Sequence, residues 1–367
     1  MKKIGILTFH CANNYGAVLQ GYALQTYIAS LGHEVEIIDY RPDYLLNLYR
    51  SFYKFEADPT SNTPTPLRFL NWIVLTLRYT CKRVKYNRSF DKFNAQYIKL
   101  SKECDETNIY CNTNYDVYVV GSDQVWNYGL TRGLDNLFWG NFEIGEGAKR
   151  ITYAASSSKY SFDDKQRGSV ASFLPLFDKI SVRESELQDC LKSEFNVDSQ
   201  LVCDPTLLVD SGVWHEMAVK PKSTGYVLVY FTTPETLALA TKIAKAKGLK
   251  VVSIYQIYDI FSNVGEAYSP AEFVGAFKYA DYVVCHSFHG LVFSLLFNRE
   301  FCVFGSGKSS DSRMLSLLEK TNIEGRYITN VDDMDMSIFD SKIDYSVVNA
   351  KIDEFRSTSR DFLKESI

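Results

Sequence analysis

The stretch Asp281 to Gly305, DYVVCHSFHGLVFSLLFNREFCVFG, leaves this chain few folds to adopt. Tyr282–Cys285 is an apolar run without alternation, as in a strand covered on both faces. A polar turn follows, His286-Ser287-Phe288-His289-Gly290, then a helical stretch from about Leu291 to Asn298 and a second apolar run, Phe301–Phe304. Strand, turn, helix and strand in so short a span make a βαβ unit, whose turn lies at the carboxyl edge of a parallel sheet, where α/β proteins hold ligands. His289 is predicted just before the helix, where it can face a ligand held at the positive N-terminus, with His286 and Ser287 beside it. A core His making one hydrogen bond is the plainer alternative. Two His, a Ser and a Gly in one such turn favour a site.

The same alternation runs through the chain. Lys3–Phe9 reads as a parallel strand, a helix spans about Ala17 to Ser30 until Gly32 stops it, and Glu34–Asp39 is the next strand. The turn between them holds Asn13, Asn14 and Tyr15, which can cradle an anion or a sugar; an Asn-capped helix start is the alternative. With Gly16 alone, it lacks the glycines of a dinucleotide fingerprint. Strands at Tyr115–Val120, Arg150–Ala155 and Lys179–Val182 place further candidates at their ends. Asp123 is a candidate base or hydroxyl binder, Trp126 a candidate sugar platform, and Arg183 a candidate carboxylate or phosphate ligand. A surface pair with Glu184 or Glu186 is the plain reading of Arg183. In Asp204-Pro205-Thr206 the proline breaks the pattern. The second half repeats the alternation, with strands at Gly225–Phe231 and Lys250–Tyr255 and a capping box at Ser269–Glu272. Arg313 heads a helix, Met314–Glu319, as a further anion site beside the His289 turn.

These elements predict an α/β protein of two Rossmann-like parallel-sheet domains facing a cleft. Residues 1–210 form the first domain, less regular and partly helical over 41–95. Residues 211–340 form the second, and a helix within 341–367 packs back on the first. A net charge of −4 argues against nucleic acid as a partner. The eight Cys show no metal-ligand spacing and read as reduced thiols of a cytoplasmic protein. His286 and His289 have no third ligand nearby, so no metal is expected. MKKIGILTF is too short in apolar residues for a signal peptide, and no apolar run approaches the ~18 residues of a membrane span. Asp58–Pro66 reads as a loop. Leu67–Phe93 reads as a helix carrying Phe69, Leu70, Trp72, Ile73, Leu75 and Leu77 beside Arg68, Arg78, Lys82, Arg83, Lys85 and Arg88. Such a basic amphipathic stretch either packs on its own domain or touches a membrane surface, which makes 68–88 a candidate peripheral contact.

Taken together, GILTFHCANNYGAVLQGYALQ, YDVYVVGSDQVWN, ISVRE, CDPT, SPAEF and HSFHGLVFSLLFNREF with the following SRMLSLL resemble the polysaccharide pyruvyl transferase family. The resemblance covers nearly the whole chain in matching order, with little signal over about 41–95. It implies a fold similar to GT-B glycosyltransferases and a bacterial enzyme of capsule or exopolysaccharide synthesis. It further implies phosphoenolpyruvate as co-substrate, no bound cofactor, and a cyclic pyruvate ketal formed on a saccharide acceptor, lipid-linked ones included. By the family pattern His289 is the catalytic His and Arg183 holds phosphoenolpyruvate. Members often read Arg-Leu-His where this chain has Ser287-Phe288-His289, so Arg313 or another cation must supply the second anion contact. A nucleotide-sugar glycosyltransferase and a non-catalytic saccharide-binding relative are the competing readings.

Overall fold

The computed structural model describes residues 1–49, 65–105, 108–109, 114–254, 267–307, 311–330 and 341–367. In the first half, β1 (Lys3–Leu7), β2 (Glu34–Tyr40), β3 (Leu100–Cys104), β4 (Val117–Val120) and β5 (Lys149–Thr152) form a sheet in the order β3-β2-β1-β4-β5. Every neighbouring pair in it is parallel. Parallel bridges Ile151–Lys179 and Ala155–Val182 extend it toward the pair β6 (Ser181–Val182) and β7 (Gln200–Leu201). In the second half, β8 (Tyr226–Tyr230), β9 (Lys250–Ser253), β10 (Tyr282–Cys285), β11 (Glu300–Phe304) and β12 (Tyr327–Ile328) form a second parallel sheet, β12-β11-β10-β8-β9. All residues of β4, β8 and β10 are buried, as strands covered by helices on both faces must be. The strand order reverses between β1 and β4 and again between β8 and β10. Those two switch points are where such sheets open toward a ligand.

The helices among the described residues are α1 (Tyr15–Ser30), α2 (Asp43–Leu48), α3 (Thr65–Tyr97), α4 (Asp164–Phe173), α5 (Ser185–Phe195), α6 (Pro205–Leu208), α7 (Ser211–Met217), α8 (Pro234–Lys247), α9 (Pro270–Lys278), α10 (Phe288–Leu296), α11 (Ser312–Thr321) and α12 (Tyr345–Ser366). The halves meet through α1 and α9, where Tyr15 stacks on Phe273 with centroids 4.4 Å apart and donates its hydroxyl to the Tyr268 carbonyl at 2.9 Å. The last helix ties both halves: its Tyr345 hydroxyl bonds the Arg299 carbonyl, while Ser359 Oγ accepts from the Cys203 N–H at 2.8 Å.

Three local readings change. The edge strand β3 was not predicted, because LSKEC is half polar and only Cys104 in it is buried. Pro205 opens α6 instead of breaking the pattern, since the first helical turn needs no N–H from it and Asp204 supplies the cap, accepting from the Thr206 N–H at 2.9 Å. The helix after β10 starts at Phe288, with Ser287 extended at φ −158 as its cap, so His289 lies inside the first turn. The expected loop at 58–66 falls largely outside the described residues, as do Tyr255 and the side chains of Arg68, Trp72, Leu75, Leu77 and Arg78.

Candidate functional site

The loops at the carboxyl ends of both sheets converge. Asp123 follows β4 with φ +70, Ala154 follows β5 with φ +49, and Phe231 follows β8 with φ +67. A non-glycine residue in that region costs of order 1–2 kcal/mol and persists only where neighbours fix it. At Asp123 the carbonyl accepts from the Val125 and Ser156 N–H groups at 2.8 and 3.0 Å, which holds the bend and projects the carboxylate toward Arg183.

Arg183 sits just beyond β6, with its side chain 1% exposed. Its Nη1 donates to Asp204 Oδ2 at 2.7 Å; its Nη2 donates to Ser156 Oγ at 2.9 Å and reaches Asp123 Oδ1 at 3.3 Å. The Phe288 ring covers the guanidinium at 4.6 Å. The expected alternative, a surface pair with Glu184 or Glu186, is therefore not what forms. Asp204 is fully buried, and its other oxygen accepts from the Thr206 hydroxyl at 2.6 Å. Burial alone would raise its carboxyl, but the His289 and Arg183 charges and the Thr206 bond outweigh that and hold it well below the usual carboxylate range.

His289 comes from the second half to the same carboxylate, its Nε2 3.6 Å from Asp204 Oδ2. That is close enough for charge attraction and too long for a hydrogen bond. The ring lies against the backbone of α1: a Cβ on Gly16 would fall 2.1 Å from His289 Nδ1. Gly16 is thus required by the His289 ring, a packing need that a sequence without its tertiary partner does not display.

Arg313, in the first turn of α11, is half-buried, and its guanidinium is held below its usual range by burial and then by Arg183. Glu184 is fully buried; its Oε1 accepts from the Ser157 N–H at 2.7 Å. Burial pushes its carboxyl up to about 7 against the opposing pull of Arg183 and Arg313. Four buried polar atoms in this group have no hydrogen-bond partner: Arg183 Nε, Arg313 Nε, Glu184 Oε2 and His289 Nε2. Orphaned polar atoms cost about 1–3 kcal/mol each, so their concentration at one place points to a ligand that satisfies them.

Of the predicted site residues, Asp123, Arg183 and His289 meet around Asp204, and Arg313 lies within the reach of the Arg183 charge. Trp126 is at 0% exposure, stacked on Trp139 at 4.7 Å with its Nε1 donating to the Phe138 carbonyl, so it is a core residue and presents no face to a sugar. Tyr15 is likewise engaged in the contact with α9. Asn14 caps α1, accepting from the Ala17 N–H at 3.3 Å, and Asn13 donates to Asn87 Oδ1 at 2.9 Å. Ser287 makes no side-chain cap bond, and His286 Nδ1 bonds the Phe304 carbonyl. Asp204, Glu184 and Ser156 were missed. The Asp-Pro-Thr run carried a signal for the first, since Asp before Pro at a helix start is a cap.

Comparison with curated proteins gives no sequence match. Solved structures with related arrangements include UGT89C1 of Arabidopsis thaliana complexed with UDP-L-rhamnose, at 8% identity, 99% of this chain, 98% of that chain and a TM-score of 0.49. Another is the UDP-GlcNAc 2-epimerase of Neisseria meningitidis bound to UDP-GlcNAc, at 10% identity, 100% and 99% coverage and a TM-score of 0.48. The model of polysaccharide pyruvyl transferases matches residues 14–308, which span the α1 loop, Asp123, Arg183, Asp204 and the His289 turn. The chain belongs to the polysaccharide pyruvyl transferase family.

Proposed function

We propose that the protein transfers the pyruvyl group of phosphoenolpyruvate to two hydroxyls of one sugar in a cell-surface or lipid-linked saccharide, forming a cyclic ketal and releasing phosphate. The observation that carries this reading is the group of buried, unpartnered polar atoms on Arg183, Arg313, Glu184 and His289. A small ligand bearing both a carboxylate and a phosphate supplies acceptors for two guanidinium N–H groups, and guanidinium favours such oxyanions.

In this reading Arg183 and Arg313 hold the donor, Arg313 standing in for the arginine that Ser287 replaces. One sugar oxygen bonds to C2 while its proton goes to a protein base and a proton is delivered to the methylene carbon, which becomes a methyl. The second hydroxyl then bonds to C2, the bond from C2 to the phosphate oxygen breaks, and the remaining proton leaves with phosphate or solvent. His289 delivers the proton to carbon, and Asp123 receives one from a hydroxyl. Asp204 orients Arg183 through its hydrogen bond and lies beside the His289 ring, 3.6 Å from Nε2. The acceptor enters beside the Asn13–Asn14 loop, with His286 and Ser287 on the other flank. No bound cofactor is needed. The work is cytoplasmic, at the inner membrane face, with contact through residues 68–88.

Phosphate release from phosphoenolpyruvate, run over a panel of galactosyl, mannosyl and glucosaminyl acceptors, tests the proposal. Acceptor-dependent phosphate that disappears in His289→Ala and Arg183→Ala supports it. Release of a nucleoside diphosphate from a sugar nucleotide, with no phosphoenolpyruvate bound in calorimetry, overturns it.

A further inference from the structure

A long helix that belonged wholly to its own domain would bury one apolar face and turn a polar one to water. Helix α3 does not divide that way. Its inner face is buried at Arg83, Tyr86, Phe90 and Phe93. The inner face also touches the site loop, where the Tyr86 hydroxyl donates to the Asn13 carbonyl at 2.8 Å and Phe90 packs on Tyr15 at 5.1 Å. On the outer face, among the described side chains, one stripe recurs along the helix in steps of three, four and once seven residues. Leu67, Leu70 and Val74 open it at 53, 56 and 52% exposure. Cys81 continues it, and exposed Lys85, Arg88 and Lys92 close it. At 3.6 residues per turn these seven positions share a sector of about 60°. Along this stripe the apolar and basic residues therefore follow one another, while exposed Phe69 lies outside it.

The basic end of the stripe is also one wall of a groove of about 840 Å³. Glu216–Val219, Ser269 and Ala271 of the second half form the other wall. Past Val219, itself 46% exposed, the surface continues to Tyr279 at 36% exposure, with Lys220 and Lys278 over its ring at 5.8 and 5.4 Å. Among the described residues Lys85, Arg88 and Lys92 form no ion pair, although the chain as a whole is acidic at −4. Exposed aliphatic residues, a tyrosine flanked by lysines and an unpaired basic row on one surface are the elements of an interfacial binding face. No helix among the described residues is long and apolar enough to cross a membrane, so the contact is with a surface.

We propose that this surface docks on an anionic bilayer: Leu67, Leu70 and Val74 enter the acyl boundary, and Lys85, Arg88 and Lys92 take lipid phosphates along the mouth of the groove. The proposal deepens the membrane contact of the preceding reading and rests on it for the source of the acceptor. It fixes which face meets the lipid and which lipid charge is selected. It also puts the bilayer on the side of α3 opposite Tyr86 and Phe90, one helix diameter, about 10 Å, from the start of α1 that packs on His289.

The test is flotation of the full chain with vesicles of phosphatidylcholine alone and of phosphatidylcholine with 30 mol% phosphatidylglycerol, without substrates. Binding to the anionic vesicles only is expected. Neutralising Lys85, Arg88 and Lys92 to Gln should weaken it about a hundredfold, at roughly fivefold per charge. The triple change of Leu67, Leu70 and Val74 to Ser should weaken it at least tenfold with the far-ultraviolet dichroism unchanged. Equal binding to both vesicle types, or none to either, overturns the proposal. So does a solution dimer that the serine variant converts to monomer, since the stripe would then be covered by a second copy. Phosphate release with a free saccharide needs no vesicle, so failure of the chemical reading and failure of the docking reading register separately.

Discussion

Replacing Gly16 by Ala isolates the contact between the two halves of the site. Gly16 lies in the first turn of α1, where the change to Ala adds helix propensity of up to about 1 kcal/mol and so does not by itself weaken the fold. The added Cβ would sit 2.1, 2.5 and 2.6 Å from Nδ1, Cε1 and Cγ of His289. Comfortable contact requires roughly 3.5 Å, so the ring must retreat by more than about 1 Å. It has little room, with the Asp204 carboxylate 3.6 Å away on one side and the Phe288 ring centroid at 5.4 Å. A misplacement of about 1 Å in a reacting group can cost ~10²-fold, or about 2.7 kcal/mol in the barrier. Acceptor-dependent phosphate release should therefore fall about a hundredfold in kcat/KM, while stability falls by no more than about 1–3 kcal/mol of overpacking, offset in part by the gain in helix propensity. Gly21→Ala, in the same helix, is the control: its Cβ would meet only Ile37 Cδ1 at 3.3 Å and Thr8 Cγ2 at 3.5 Å, and activity should stay near wild type. A folded Gly16→Ala enzyme within about threefold of wild type would refute the reasoning, because His289 would then be free to move or uninvolved.

Arg183→Ala removes the guanidinium that pairs with both Asp204 and Asp123, so both activity and stability should fall, the latter by about 3–5 kcal/mol in denaturant unfolding. Arg313→Gln removes a guanidinium whose Nε has no protein partner; the KM for phosphoenolpyruvate should rise ten- to a hundredfold with unfolding little changed. Glu184 carries a sign. Its folded carboxyl titrates near 7 and its unfolded one near 4.5, so between those values the unfolded chain loses the proton first. Stability should therefore decline by up to roughly 3 kcal/mol from pH 4.5 to 7 on this account, and Glu184→Gln should remove that decline when unfolding is followed across the range. Asp204 acts in the opposite sense, since its depressed carboxyl contributes stability above its unfolded value that is lost on acidification. Asp204→Asn should flatten the acid limb.

The short-range elements were legible from the residues alone. Unbroken apolar runs marked both central strands, and Tyr282–Cys285 needed no neighbour to be placed, because a strand buried on both faces has no alternation to disguise it. The capping box at Ser269 and the stop at Gly32, φ +84, are equally short-range, set by backbone groups within four residues. Position at a strand's carboxyl end was enough to nominate Asp123, Arg183 and His289. Partners were another matter. Arg183 has Glu184 and Glu186 beside it in the chain and bonds instead to Asp204, Asp123 and Ser156, which lie 21, 60 and 27 residues away and are brought to it by the converging loops. Trp126 looked like a surface aromatic until Trp139 and Phe138 closed over it. The outer stripe of α3 can be counted along the sequence, yet only the packing of Tyr86 and Phe90 against the α1 loop decides that this face, and not the other, is left to solvent. Hydrogen-bonding and helical periods extend over a few residues and are written locally, whereas a site built from positions 16, 123, 183, 204 and 289 exists only after two sheets have brought their carboxyl edges together.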